Sequence, residues 1–214
     1  MALDNPLIWS VVIPVKVLAL AKSRLAGLDD GDRRALALAM AVDTAAAAMA
    51  SPAVGAVVVV SDDPLVADEL AVLGATTIAD SPGAGLNRAI VAGAEHARGR
   101  WPGHGIAGLL ADLPALRAAE LTAALRAAAA FPQAFVPDAA GVGTTLYTAQ
   151  PGSGFTPRFG VRSRELHAQA GAAELSLPGI ASLRQDVDTL EDLRSAAALG
   201  LGRRSASLAL QLAD

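Results

Sequence analysis

Three cations and three carboxylates stand out in this 214-residue chain as groups whose type and spacing could do chemistry. Lys16, Lys22 and Arg24 fall within nine positions of one another, in the stretch VVIPVKVLALAKSRL (residues 11–25). A basic loop is often only a solvated face. Here, however, lysine occurs at these two places and nowhere else, while arginine does the general surface work. The apolar, β-branched run ending at Pro14 reads as a buried strand. A cationic loop beyond the carboxyl end of a first strand is where an open α/β sheet collects an anionic ligand. A phosphate-bearing substrate is the first expectation. The carboxylates are Asp112, at the predicted end of a fourth strand, and Asp186 and Asp188, which flank Val187. Residues two apart on a strand point to one face, so the last two can serve one site. Together the three could hold a hard divalent ion such as Mg2+, whose shell is completed by water and phosphate oxygens. Taken singly, each aspartate also fits a cap or turn, and Asp188-Thr189 could simply start a helix.

Small residues form the next group. Gly141-Val142-Gly143-Thr144-Thr145 and Phe159-Gly160-Val161-Arg162-Ser163 offer backbone N–H groups with little obstruction, and the hydroxyls of Thr144, Thr145 and Ser163 can donate to a carboxylate or phosphate. Ser163 equally suits the N-cap of its helix, whose amino terminus would itself favour an anion. Gly85-Leu86-Asn87 ends a loop at a helix start, where Asn87 could contact a base or sugar or act only as a cap. His96, His104 and His167 lack metal-ligand spacing and read as surface or packing residues. Asp43, an acid among apolar neighbours, needs a partner if buried and reads as structural.

The elements that must position these groups alternate. Strands are expected at 54–60, 75–79 and 106–111 after the first, with helices over about 30–50, after 64, from 86 and up to about 130. Strand–helix alternation of this kind marks a doubly wound sheet. Past Phe131 the pattern changes to two short strands, 134–137 and 144–148, a short helix at 163–170, a strand at 183–187 and a helix from Thr189. No repeat or linker marks a second domain, so residues 1–214 read as one unit.

Just over half the residues are apolar, alanine dominates and aromatics are few, which suits helices packed closely on a sheet. A net charge of −4 leaves no broad basic stripe for nucleic acid. The absence of cysteine excludes disulfides, thiolate zinc sites and cysteine nucleophiles. The longest apolar stretch, 35–50, is broken by Asp43 and too short for a bilayer. The expectation is a cytoplasmic protein with no membrane partner, its oligomeric state open.

Taken together, VVIPVKVLALAKSRLA, LLADLPAL (109–116), GVGTTL (141–146), RFGVRS (158–163) and DVDTLEDL (186–193) resemble the guanylyltransferases of coenzyme F-420 biosynthesis. The motifs are loose singly and specific as an ordered set, covering residues 11 to about 193. The resemblance implies a three-layer α/β/α fold with a mostly parallel sheet, of the nucleotide-diphosphate transferase kind. A nucleotide-binding part (roughly 8–130) would precede an acceptor-binding part (roughly 131–195). It also implies an enzyme that joins GTP to phosphoenolpyruvate or 2-phospho-L-lactate with release of pyrophosphate. Lys16, Lys22, Arg24, Gly85 and Asn87 would then serve the nucleotide, the two lysines and Arg24 catalytically as well. Asp112, Asp186 and Asp188 would hold Mg2+, while a threonine of GVGTTL, Thr144 or Thr145, would bind the acceptor with Gly160 and Ser163. The GC-rich flavour of the composition favours the phosphoenolpyruvate users. Two other classes compete: a metal-dependent glycosyltransferase using Asp186-Val187-Asp188 as its DxD motif, and a non-catalytic GTP-binding module.

Overall fold

The computed structural model describes residues 6–16, 18, 28–80 and 85–211. β1 (Trp9–Pro14) is buried along its whole length, as a strand covered on both faces must be, with Ser10 its one polar residue. It lies between β2 (Val54–Val60) and β4 (Gly105–Leu109), parallel to both, and β3 (Thr76–Ile78) adds a parallel strand outside β2. Beyond β4 one strand runs the other way. β6 (Thr144–Ala149) is antiparallel to β4 and to β5 (Gln133–Pro137), and β7 (Ala173–Glu174) pairs parallel with β5. The order β3-β2-β1-β4-β6-β5-β7 makes a mixed, mostly parallel seven-stranded sheet, within the expected α/β class.

Alternation along the strands divides the core into two layers. Val11, Ile13, Val57 and Val59 face α1 (Asp30–Met49), α2 (Pro64–Val72) and α4 (Ala118–Ala128). Val12, Val58, Val60 and Ile106 face α3 (Leu86–Arg100). Alanine at the contact positions lets these helices sit close to the sheet. At Gly93 even a methyl group is excluded, since a Cβ there would lie 2.3 Å from a methyl carbon of Val12.

The strand expected over 183–187 is not formed. α5 (Ser163–Gln169) leads to β7 at the sheet edge, and Leu183 falls in the short α6 (Ala181–Arg184). Residues 185–187 are irregular, and α7 (Leu190–Leu199) starts at the N-cap Thr189 through a capping box with Asp192. Leu183 and Val187 are both fully buried, so their apolar spacing reports burial and not strand. α8 (Arg203–Gln211) packs along α1. Its first N–H groups, of Arg204 and Ser205, donate to the Asp43 carboxylate at 3.0 and 2.7 Å. Asp43 thus has the structural partner its burial demands. Among the described residues no helix is long and apolar enough to cross a membrane.

Candidate active site

Strand direction decides where the chemistry gathers. β1, β4 and β5 all end at one rim of the sheet, and β6, running oppositely, begins there. Lys16 after β1, Asp112 after β4, Asp138 after β5 and Thr144 at the start of β6 therefore reach one cavity of about 800 Å3. Gly160, Ser163, Asp186 and Asp188 line the same cavity. It opens beside β1, where the strand order turns from β2 to β4, the crevice in which open α/β sheets take ligands. Lys16 is exposed on its wall. Lys22 and Arg24 lie outside the described residues.

The acidic end is built by a tether. The Val187 N–H donates to the Asp112 carbonyl at 3.0 Å, and the Val187 side chain is buried with Leu36, Met40 and Ala115. Asp186 and Asp188 hang on either side of this anchor, so a pinned loop achieves what strand alternation was expected to do. Asp138, which follows β5, joins them on the cavity wall. Its carboxylate accepts from the N–H groups of Val142 and Gly143 at 3.0 and 2.8 Å. Those two N–H groups are thus engaged within the turn instead of facing a ligand. Gly143 is required there, because a Cβ would sit 2.2 Å from the Asp138 Oδ2. Burial first, and then the charges of Asp112, Asp138 and Asp188, push the Asp186 carboxyl up to about 7.

Among the described residues no three acidic or histidine side chains converge into a ready-made metal cage, contrary to the expected trio of Asp112, Asp186 and Asp188. What the site does offer is carboxylates close enough to Asp186 to raise its proton affinity. That donor set fits a hard cation which takes one or two carboxylates and finds its remaining oxygens on water and phosphate.

A β-bulge sets the two threonines apart. Val136 pairs with Leu146 and Pro137 with Thr144, leaving Thr145 as the extra residue. Thr144 lines the cavity, whereas Thr145 is fully buried and absent from its wall. Gly160 has φ 120°, a conformation that L side chains rarely adopt, and a Cβ there would meet nothing within 4 Å. Ser163 is the first residue of α5 and buried, while the N-cap position belongs to Arg162 at φ 59°. Ser163 is therefore not the cap. Gly85 and Asn87 are likewise off the cavity wall. Gly85 precedes α3 with φ 84°, and the Asn87 amide donates to the Phe159 carbonyl at 3.0 Å and accepts from its N–H at 2.8 Å. Asn87 braces the RFG loop where a contact to a base or sugar was expected.

His167 also departs from expectation. It is fully buried on α5, one turn after Ser163, and bonded through both nitrogens: Nδ1 to Thr144 Oγ1 at 3.0 Å and Nε2 to the Arg158 N–H at 2.9 Å. Burial, and then the Arg158 charge, hold its pKa down at about 4. The Ser163–His167 spacing of four was the sequence signal that could have exposed it. His104 bonds Ser10 and stacks on Trp101, a packing role as expected.

Residues 9–207, which include every group named above, match the family described as "Guanylyl transferase CofC like". The chain belongs to that family. It is thus a guanylyltransferase, an enzyme of the nucleotidyltransferase class. Among the relatives of this family member is the "Phosphoenolpyruvate guanylyltransferase" of Streptomyces coelicolor, 56% identical over 205 residues, covering 95% of this chain and 97% of the other. Its fold is that of a putative nucleotide-diphospho-sugar transferase from Desulfovibrio desulfuricans G20 (TM-score 0.72, 17% identity, 96% and 95% of the two chains). The same fold occurs in Rv0371c of Mycobacterium tuberculosis in complex with manganese (TM-score 0.56, 19% identity, 89% and 97%).

Proposed function

We propose that this guanylyltransferase joins GTP to phosphoenolpyruvate, giving enolpyruvoyl-2-diphospho-5'-guanosine and pyrophosphate, as a step of coenzyme F-420 biosynthesis. The observation that carries this reading is a single cavity lined by carboxylates, Asp112, Asp186 and Asp188, together with Thr144, Gly160 and Ser163. The 56% identity to a phosphoenolpyruvate guanylyltransferase supplies the acceptor.

In this mechanism a phosphate oxygen of the acceptor attacks the α-phosphorus of GTP. A new P–O bond forms, the bond to the bridging oxygen breaks, and pyrophosphate leaves with its electrons. The attacking group is already an anion near neutral pH, since the second pKa of a phosphate monoester is about 6. No general base is needed. Thr144 and Ser163 hold the acceptor by donating to its oxygens, with Gly160 leaving room between them. Lys16, aided by Lys22 and Arg24, steadies the triphosphate and the charge that builds on the leaving pyrophosphate. One or two of Asp112, Asp186 and Asp188 would hold Mg2+, which when bound supplies charge neutralisation to the phosphates. Asp138 braces the turn that carries Thr144. The first 130 residues thus serve the nucleotide and residues 131–195 the acceptor, within one domain.

A coupled pyrophosphate assay tests the reading across GTP, ATP and CTP, each with phosphoenolpyruvate and 2-phospho-L-lactate. Turnover is expected with GTP and phosphoenolpyruvate, lost on chelation and restored by Mg2+. The two acceptors differ by a planar methylene against a tetrahedral methyl, a contrast worth about 1–3 kcal/mol in a shaped pocket. Faster turnover of 2-phospho-L-lactate would reassign the acceptor. No pyrophosphate with any pair would overturn the proposal.

A further inference from the structure

Three of the groups assigned to the acceptor converge on one imidazole. His167 bonds Thr144 directly, shares α5 with Ser163 one turn away, and accepts from the backbone of Arg158, two residues before Gly160. Its ring has no freedom to turn. Tyr147 stacks on it at 4.5 Å and 17°, Phe159 meets it edge-on at 5.7 Å, and Phe135 lies 5.5 Å away. The Arg158 N–H can donate only to a nitrogen that bears a lone pair, so Nε2 carries no proton. With its pKa at about 4 the ring is neutral at working pH, and its single proton must be on Nδ1. Nδ1–H therefore donates to Thr144 Oγ1, and the hydroxyl oxygen, having accepted that bond, turns its own hydrogen away from the ring. Thr144 is on the cavity wall.

We propose that His167 is a positioning residue of acceptor recognition: as its Nδ1–H tautomer it makes the Thr144 hydroxyl a dedicated donor toward an anionic oxygen of the bound phospho-acid, and it holds the Gly160 loop and Ser163 in register beside it. The proposal rests on the acceptor reading given above. It also states what this end of the cavity selects. A ligand presenting a carboxylate or phosphate oxygen to Thr144 meets a hydrogen already turned from the ring, whereas one presenting an N–H finds only the remaining lone pair.

Two measurements test it. Long-range 1H–15N spectra of the histidine rings in the wild-type protein at pH 7 are expected to show His167 protonated on Nδ1 and bare on Nε2. A ring protonated on Nε2, or on both nitrogens, overturns the proposal, and this readout stands even if no acceptor is turned over. Kinetics then separate positioning from packing. His167→Phe is expected to raise the acceptor KM about tenfold or more while the KM of GTP moves less than twofold. His167→Asn, which keeps an amide N–H at the δ position, should recover part of that loss. The double variant His167→Phe, Thr144→Val should lose less acceptor affinity than the product of the two single losses, since both act in part through one hydroxyl. Equal shifts in both KM values, no advantage of Asn over Phe, or multiplying losses in the double variant would each sink it. If the Phe variant does not fold, His167→Gln takes its place, because its Oε1 can still accept from Arg158 while no N–H stands at the δ position.

Discussion

Asp112 and Ser163 line one cavity, and the proposed chemistry asks different things of them. Asp112→Asn removes a formal charge from the crowded acidic end while keeping its size. Product formation is expected to fall about 10²–10³-fold, as when a transition-state electrostatic contact is lost, with thermal unfolding little changed. Wild-type turnover in that variant would remove Asp112 from the cation site. Ser163→Ala deletes a donor to an anionic ligand, a hydrogen bond worth about 1.5–3 kcal/mol, so the acceptor KM should rise about tenfold or more. The KM of GTP should stay where it was. Matching rises in both would make Ser163 a packing residue. Asp112 and Ser163 were legible in the chain because acids at strand ends and hydroxyls at helix starts are recognisable types in recognisable places. His167 was harder to read, since only its spacing of four from Ser163 hinted at which way it faces. The same holds for Thr144 against Thr145, because the bulge that separates them depends on pairing with β5.

Among the elements, α8 shows how a remote acid organises a terminus. Asp43, on α1, supplies from across the chain the acceptor that an N-cap side chain usually provides to N–H groups at the start of α8. Gly202 is the necessary partner, since a Cβ there would lie 2.4 Å from the Asp43 carboxyl carbon. Asp43→Ala should cost about 1–2 kcal/mol and lower Tm by a few degrees for a chain of this size. An unchanged melting curve would show that α8 docks by its apolar face alone. The sequence marked Asp43 as structural but held no clue to its partner, which lies more than 150 residues away. The parallel strands β1 to β4 and their helices were legible because apolar runs and turn residues alternate cleanly. The expected strand at 183–187 failed for a physical reason: Leu183 and Val187 are buried from a helix and a pinned loop, which leave the same apolar imprint.

For the molecule as a whole, two buried groups give opposing pH dependences. His167, with a folded pKa near 4 against 6.5 when unfolded, leaves the unfolded chain holding the extra proton between those values. Its contribution is present above pH 6.5 and is lost as pH falls toward 4. Asp186, raised from 3.8 to about 7, does the reverse, since the folded form then holds the extra proton. Without divalent cation the two should nearly cancel between pH 4.5 and 6.5. Asp186→Asn should unmask the histidine, with stability rising by up to about 1.4 kcal/mol per pH unit across that window. Denaturant titrations at several pH values would check this, and a flat profile in the variant would contradict the buried neutral ring. One further consequence follows from the way β6 enters the sheet against the grain of its neighbours. Among the described strands it alone begins at the cavity rim, so the length of the 138–143 turn sets where Thr144 stands along the opening.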